Sequence, residues 1–277
     1  MNTFILEVFC KIIGISAASG LVYNQSHLYL IADNSHYIYD YLPEKNQLQK
    51  FPLTSSEILG ENVIKKEKAD IEAISLYNNT LFLYGSGSTV KRNRGFEVFP
   101  DKSFNVNSVD LTALYARLQK AANIAEADFN IEGAIVEKDR ILIFNRGNGP
   151  QKRNVVFQIN RKQPEKEILW KDIALPAIKT ISTGFTDAII HQGQIYFIAA
   201  AEDSNSNYHD GEIGGSLIGV MDADTFEIKN TLEISTTHKI EGITFYGEDQ
   251  KSVQFLLCED RDNDENESII YKLTLPK

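Results

Sequence analysis

One pattern recurs along the chain at nearly constant spacing. An acid stands just ahead of an apolar run in ADIEAISLY, FNIEGAIVE, GFTDAIIHQ and HKIEGITFY, at Glu72, Glu132, Asp187 and Glu241, and Ser19 holds the matching place in AASGLVY. The intervals between these five positions are 53, 60, 55 and 54 residues. The 37 residues from Glu241 onward and the 18 before Ser19 together make a fifth interval of 55. Such a period marks a repeat architecture in which each unit buries its faces against its neighbours. Because the fifth interval is completed only by joining the two ends of the chain, the pattern predicts a closed ring.

Within each unit the residues read as short strands parted by turns. GLVY, HLYLIAD, HYIYDYL and LQKFPL make the first unit, with YNQSH and PEKNQ as turn chemistry; GAIVE, RILIFN, NVVFQIN and EILWKDIAL make the third. The last unit supplies only GITFY, VQFLLCE and SIIYKLTL. Its missing strand is Phe4 to Ile12, where Phe4, Leu6, Val8, Cys10 and Ile12 alternate onto one face. The expected fold is all-β: a five-bladed β-propeller of four-stranded antiparallel blades, residues 1–277 forming one domain, with the N-terminal strand closing the last blade. The 60-residue interval has its own cause. Leu111, Leu114, Tyr115, Leu118, Ala122 and Ala125 recur at helical spacing behind Asp110, which predicts a helical insertion near 111–125 docked on the propeller.

Charge narrows the function classes. A net charge of −10 and a pI near 5.1 argue against a nucleic-acid or anionic-membrane surface, which needs clustered excess Lys and Arg. Cys10 and Cys258 allow no disulfide framework and fit a reducing, cytoplasmic setting. Glu7 and Lys11 interrupt the apolar N-terminus, so it reads as a strand and not as a secretory signal. No uncharged apolar run reaches the length of a transmembrane helix. The expected partners are a small anionic molecule or a divalent cation, bound by a monomer.

In a four-stranded meander the start of the innermost strand and the end of the second lie on the same side. The repeated acids and the loops ADNSH, GSGSTVKRNRG, NRGNGPQKRN, EDSNSNYHDGEIGGS and EDRDNDENES therefore share one mouth of the central channel. Lys91, Arg92, Arg94, Arg146, Lys152 and Arg153 come from blades two and three; Glu202, Asp203, Asp210, Glu259, Asp260, Asp262 and Asp264 come from blades four and five. Carboxylates crowded near one axis require a bound cation, an Arg partner or a retained proton. Glu72, Glu132, Asp187 and Glu241 are thus candidate ligands for Ca2+ or Mg2+, which favour oxygen donors. Ser86 and Ser88 of GSGS, together with Arg92, Arg94 and Arg146, are candidates for holding an anionic substrate, with Glu202 and Glu259 beside them. The alternative for each repeated acid is structural: bonding strand-start amides and locking blade to blade.

Other motifs fail. DRDNDENES begins like a calcium loop at Asp260, Asp262 and Asp264, but Glu265 stands where glycine is needed and Tyr271 where the terminal Glu belongs. No nucleophile elbow, Walker loop or dinucleotide fingerprint is present, and the five histidines are scattered.

The set DIEAI … LYGSGS … R, NIEGA … FNRGNG, FTDA … AAAED … GGSLIGV and KIEGI … CEDRD resembles an uncharacterised family of bacterial propeller proteins. More remotely, the IEG segment followed by a second strand ending in an acid resembles esterase-like phytase and gluconolactonase-type propellers. That resemblance implies carboxylates at the mouth holding a divalent metal, often calcium, and hydrolysis as the activity; this chain differs in having five units and Ser19 for the first acid. The expectation is metal-assisted hydrolysis of a small anionic ester or lactone. The alternatives are a non-catalytic ligand- or protein-binding propeller and a glycoside hydrolase. The last is weakened because Trp170 belongs to an outer strand, leaving Tyr208 as the main loop aromatic.

Overall fold

The computed structural model describes residues 4–55, 59–64, 66–203, 211–260 and 266–277. Strand β1 (Ile5–Ile13) comes first. Blade one is β2 (Ala18–Asn24), β3 (His27–Ala32), β4 (Tyr37–Leu42) and β5 (Gln47–Pro52); blade two is β6 (Ile71–Tyr77), β7 (Thr80–Gly85), β8 (Arg94–Phe99) and β9 (Asn105–Asp110). Helix α1 (Thr112–Ala122) follows. Blade three is β10 (Ile131–Val136), β11 (Arg140–Asn145), β12 (Val155–Asn160) and β13 (Leu169–Asp172). Blade four is β14 (Thr183–His191), β15 (Gln194–Asp203), β16 (Glu212–Asp222) and β17 (Ile228–Ser235). Blade five joins β18 (Ile240–Glu248), β19 (Ser252–Glu259) and β20 (Glu267–Pro276) to β1, in the order β1-β20-β19-β18. The fold is a five-bladed propeller closed as the interval count predicts.

Each apolar core lies between two consecutive blades. Leu21, Leu30, Tyr39, Leu256 and Ile270 fill the seam where blade five meets blade one, and Phe144, Phe185 and Phe197 fill that between blades three and four with edge-to-face rings 5.3–5.4 Å apart. The closing strand departs from simple alternation. A bulge at Phe9, between Val8 and Cys10, switches its apolar side: Phe4 and Leu6 pack toward blade four, whereas Phe9, Cys10 and Ile12 pack toward blade one. Val8, expected inward, is left 56% exposed.

Every innermost strand carries a bulge at the same point. The register shifts between Ala18 and Gly20, Ile71 and Ala73, Ile131 and Gly133, Phe185 and Asp187, and Ile240 and Gly242. The extra residues are Ser19, Glu72, Glu132, Thr186 and Glu241. In blade four the structural equivalent of the repeated acid is therefore Thr186, and Asp187 stands one place further on, where other blades have glycine or alanine. Those positions are small because the inner strands nearly touch: a Cβ on Gly242 would lie 2.7 Å from Leu21 Cδ2 and 2.9 Å from Gly20 Cα.

The helical insertion docks through its apolar stripe but ends at Ala122, before the expected limit near 125, and Ala125 is exposed beyond it. Tyr115, Leu118 and Ala122 are buried with Ile131, Ile143 and Phe157, and Tyr115 Oη donates to the Gly85 carbonyl at 2.6 Å. Asp110 accepts the Thr112 amide at 2.8 Å, one residue ahead of the helical N-cap at Leu111. Arg153 donates to the Ala122 and Asn123 carbonyls at the other end. No helix among the described residues is long and apolar enough to cross a membrane.

Candidate functional site

The bulges aim Glu72, Glu132 and Glu241 at one end of the axis, and strand periodicity brings the residue two places earlier to the same side. Asn130 Nδ2 donates to Glu132 Oε1 at 2.6 Å, and Lys239 Nζ lies 3.1 Å from Glu241 Oε1. The ends of the second strands are tied to these positions by backbone bonds. Ser86 N donates to Asp70 O (2.9 Å), Arg146 N to Asn130 O (2.8 Å) and Asp260 N to Lys239 O (3.1 Å).

Arg146 is the hub of the first of two charge clusters. It is 3% exposed, with Nη1 3.3 Å from Glu132 Oε1 and 3.6 Å from Glu241 Oε1, and Nη2 2.5 Å from Glu202 Oε2. Glu202 reaches it because β15 runs longer than the other second strands. The side chain crosses Gly184, where a Cβ would lie 2.6 Å from Arg146 Cγ, so only glycine leaves room. Burial alone would lower the guanidinium pKa; Glu132, Glu241 and Glu202 reverse this and raise it. Burial drives Glu132 up to about 8, with Arg146 opposing and Glu241 adding to the rise; burial likewise raises Glu241 against Lys239 and Arg146.

The second cluster is Asp33, Asp70 and Glu72, whose carboxylate oxygens lie within 4.8 Å of one another. Lys68 pairs with Asp33 and, at 3.0 Å, with Asp70. Arg92 Nη1 lies 2.7 Å from Asp70 Oδ2 and donates to Ser88 Oγ at 2.7 Å, while Ser86 donates its hydroxyl to Asp70. Burial raises Asp33 to about 6 against the pull of Lys68, and burial with Asp70 and Glu132 nearby raises Glu72 well above the usual range. Because Glu72 feels Glu132 and Asp33 feels Asp260, the two clusters share one field.

The remaining sequence candidates divide. Asp187 is 1% exposed, and its oxygens accept the Ala188 amide (2.7 Å) and the Ile243 amide of the next blade (2.9 Å), which is the blade-locking arrangement. Ser19 and Thr186 lock blades too, donating to Ile71 O (2.6 Å) and Ile240 O (2.7 Å). Glu259 accepts Tyr271 Oη (2.6 Å) and lies 2.7 Å from His238 Nδ1. Arg94 is exposed at the start of β8, opposite Asp110 on the blade's outer edge, and does not join the mouth. Lys91 is 67% exposed at its side chain and 3.9 Å from Glu67. Arg153 pairs with Asp172 (2.9 Å) beneath Trp170 on outermost strand β13. Asp210, Asp262, Asp264 and Tyr208 lie outside the described residues. Sequence reasoning passed over Asp33, Lys68, Asp70, Asn130 and Lys239, although the period of two puts the last three beside their acids.

A pH test follows from Glu132. A buried carboxyl whose native pKa exceeds its unfolded value, 4.5, keeps a proton that the unfolded chain has released. Its contribution to stability is therefore greatest at low pH and declines as pH rises from about 4.5 through about 8. Glu132→Gln is expected to flatten the fall in melting temperature between pH 5 and pH 8. An unchanged slope in thermal melts would show that Glu132 titrates normally.

No curated protein matches the sequence. Among solved structures, a luciferin-regenerating enzyme superposes with a TM-score of 0.52 at 9% identity, over 98% of this chain and 95% of its own. An auxiliary nutrient binding protein from Bacteroides thetaiotaomicron aligns over 100% of this chain and 78% of its own, at 12% identity and a TM-score of 0.47. At such identities the first is a likeness of fold alone, and the second carries no further argument. A family model matches residues 14–275, nearly the whole chain, which therefore belongs to that family of unknown function, DUF6929.

Proposed function

We propose that the propeller mouth is a divalent-cation-dependent hydrolytic site for a small ester or lactone. The carrying observation is the convergence of Asp33, Asp70 and Glu72, three carboxylates from two adjacent blades with oxygens within 4.8 Å. The donor set is hard and oxygen-only, which fits calcium or magnesium. Lys68 shares that centre with Asp33 and Asp70, so its long side chain must turn aside for an ion to be held there. A bound ion would polarise the substrate carbonyl and lower the pKa of a coordinated water.

The chain's own residues supply the rest. Glu132, with a pKa near 8 set by burial, carries a proton at neutral pH and can deliver it to a leaving oxygen. Arg146 fixes Glu132 and Glu241 in place. Arg92 and Arg146 are each engaged by carboxylates, and Arg94 lies away from the mouth. No anionic end is therefore assigned to the substrate, and a neutral ester or lactone fits the mouth better than the anionic one that the sequence suggests.

Turnover on ester and lactone panels is expected to be lost with EDTA, restored by calcium or magnesium, and lowered about 10²–10⁴-fold by Glu132→Gln. Saturable ligand binding without metal-dependent turnover would assign the mouth to non-catalytic binding, and cleavage of oligosaccharides to a glycosidase.

A further inference from the structure

The face opposite the mouth carries clefts where adjacent blades diverge. One, between blades one and two, encloses about 240 Å³. Its blade-one wall is the β2–β3 turn with His27, Tyr29 and Asp40; its blade-two wall is Leu76, Asn79, Pro100, Asp101 and Phe104.

Three observations define what fits. First, the described residues that line the cleft include two acids and no lysine or arginine. Asp40 is held by His27, whose Nδ1 lies 2.8 and 3.0 Å from its oxygens, whereas Asp101 is exposed and meets only Asn79 Nδ2, at 3.5 Å, among the described residues. Second, an aromatic wall faces these acids. Tyr29 and Phe104 meet edge to face at 6.0 Å, and Phe104 is backed by Phe51 in a parallel stack at 3.6 Å. Third, the comparable cleft between blades four and five, about 370 Å³, has its own ammonium, with Lys277 Nζ 2.8 Å from Glu248 Oε2. In the cleft between blades one and two, where His27 pairs with Asp40, Asp101 meets no lysine or arginine among the described residues.

We propose that this cleft binds a small primary ammonium ion with an apolar body, the ammonium donating to Asp101 and the body packing against Phe104 and Tyr29. Charge-assisted bonds to a carboxylate and the negative face of an aromatic ring both select a cation over an isosteric neutral molecule. The amides of Asn24 and Asn79 offer further carbonyl acceptors for the remaining N–H groups. The volume falls below the range of about 300–1,000 Å³ typical of drug-sized ligands, so the occupant is small. Burial, with Asp40 and Asp101 adding to it, pushes the Tyr29 phenol up to about 12, in keeping with a negative potential there.

The test compares benzylammonium, benzyl alcohol and benzoate by titration calorimetry and by NMR shifts at neutral pH and low salt. Benzylammonium is expected to bind saturably and about tenfold more tightly than benzyl alcohol, and benzoate not to bind. Asp101→Asn, a substitution at an exposed site that should leave the melting temperature unchanged, is expected to weaken benzylammonium about tenfold. Glu248→Gln in the other cleft should have no effect. Equal affinity for the alcohol, no saturable benzylammonium binding, an unchanged dissociation constant in Asp101→Asn, or loss of binding in Glu248→Gln would each overturn the proposal.

Discussion

Removal of residues 1–13 is expected to lower the melting temperature by about 10–20 °C and to drive association through the uncovered edge of β20. Strand β1 pairs with β20 from Ile5 opposite Thr274 to Ile13 opposite Glu267, so its loss strips a full set of ladder bonds from blade five. It also removes Ile12, 1% exposed, and the half-buried Leu6, Phe9 and Cys10 from the seams on either side. At about 1.5–3 kcal/mol for each fully buried aliphatic side chain, the apolar loss alone is about 5 kcal/mol. That is comparable with the whole stability of a typical domain, about 5–15 kcal/mol. Thermal melts and sedimentation decide the matter: a truncated protein that stays monomeric and melts like the parent would show that β20 does not need its partner.

Arg146→Met is expected to cost about 3–5 kcal/mol at pH 8, because it leaves Glu132, Glu202 and Glu241 buried around a missing cation. Methionine preserves most of the volume, so the loss reports charge and not a cavity. The deficit should shrink toward pH 5, where Glu132 and Glu241, both raised by burial, can take up protons in place of the guanidinium. Adding Glu132→Gln and Glu241→Gln should recover much of the stability at pH 8. Urea melts at the two pH values separate this from a packing defect, whose cost would not vary with pH.

Much of the architecture was legible because the bulge on each innermost strand imposes a recurring residue pattern. What recurs physically is a bulged residue whose side chain turns toward the axis or the next blade, and carboxylate and hydroxyl both serve there. Matching by charge therefore slipped by one in blade four, taking Asp187 for Thr186, even though Ser19 already showed that a hydroxyl can hold the place. The alternation of β1 misled at Val8 for a related reason: the bulge at Phe9 changes the face without changing the composition. At the mouth, the sequence supplied Glu132, Glu241, Glu202 and Arg146 but not their pairing. Arg146 looked like a ligand for an incoming anion because its three glutamates come from three different blades. Asp33 and Lys68 were hidden in an ordinary-looking turn and an inter-blade loop, and only the closed ring brings them together.

The pairing of β1 with β20 also sets an order of events on the ribosome. Residues 5–13 leave the exit tunnel long before their hydrogen-bonding partners, residues 267–274, are made. Until then, ILEVFCKII waits as an apolar, β-prone segment without its strand, and four blades can stack before the fifth exists. The final pairing spans almost the entire sequence, so its loop-closure entropy is met in one late step. Nascent chains halted before residue 267 should consequently be the species most in need of a chaperone, with Glu7 and Lys11 as the charges within that stretch that oppose self-association.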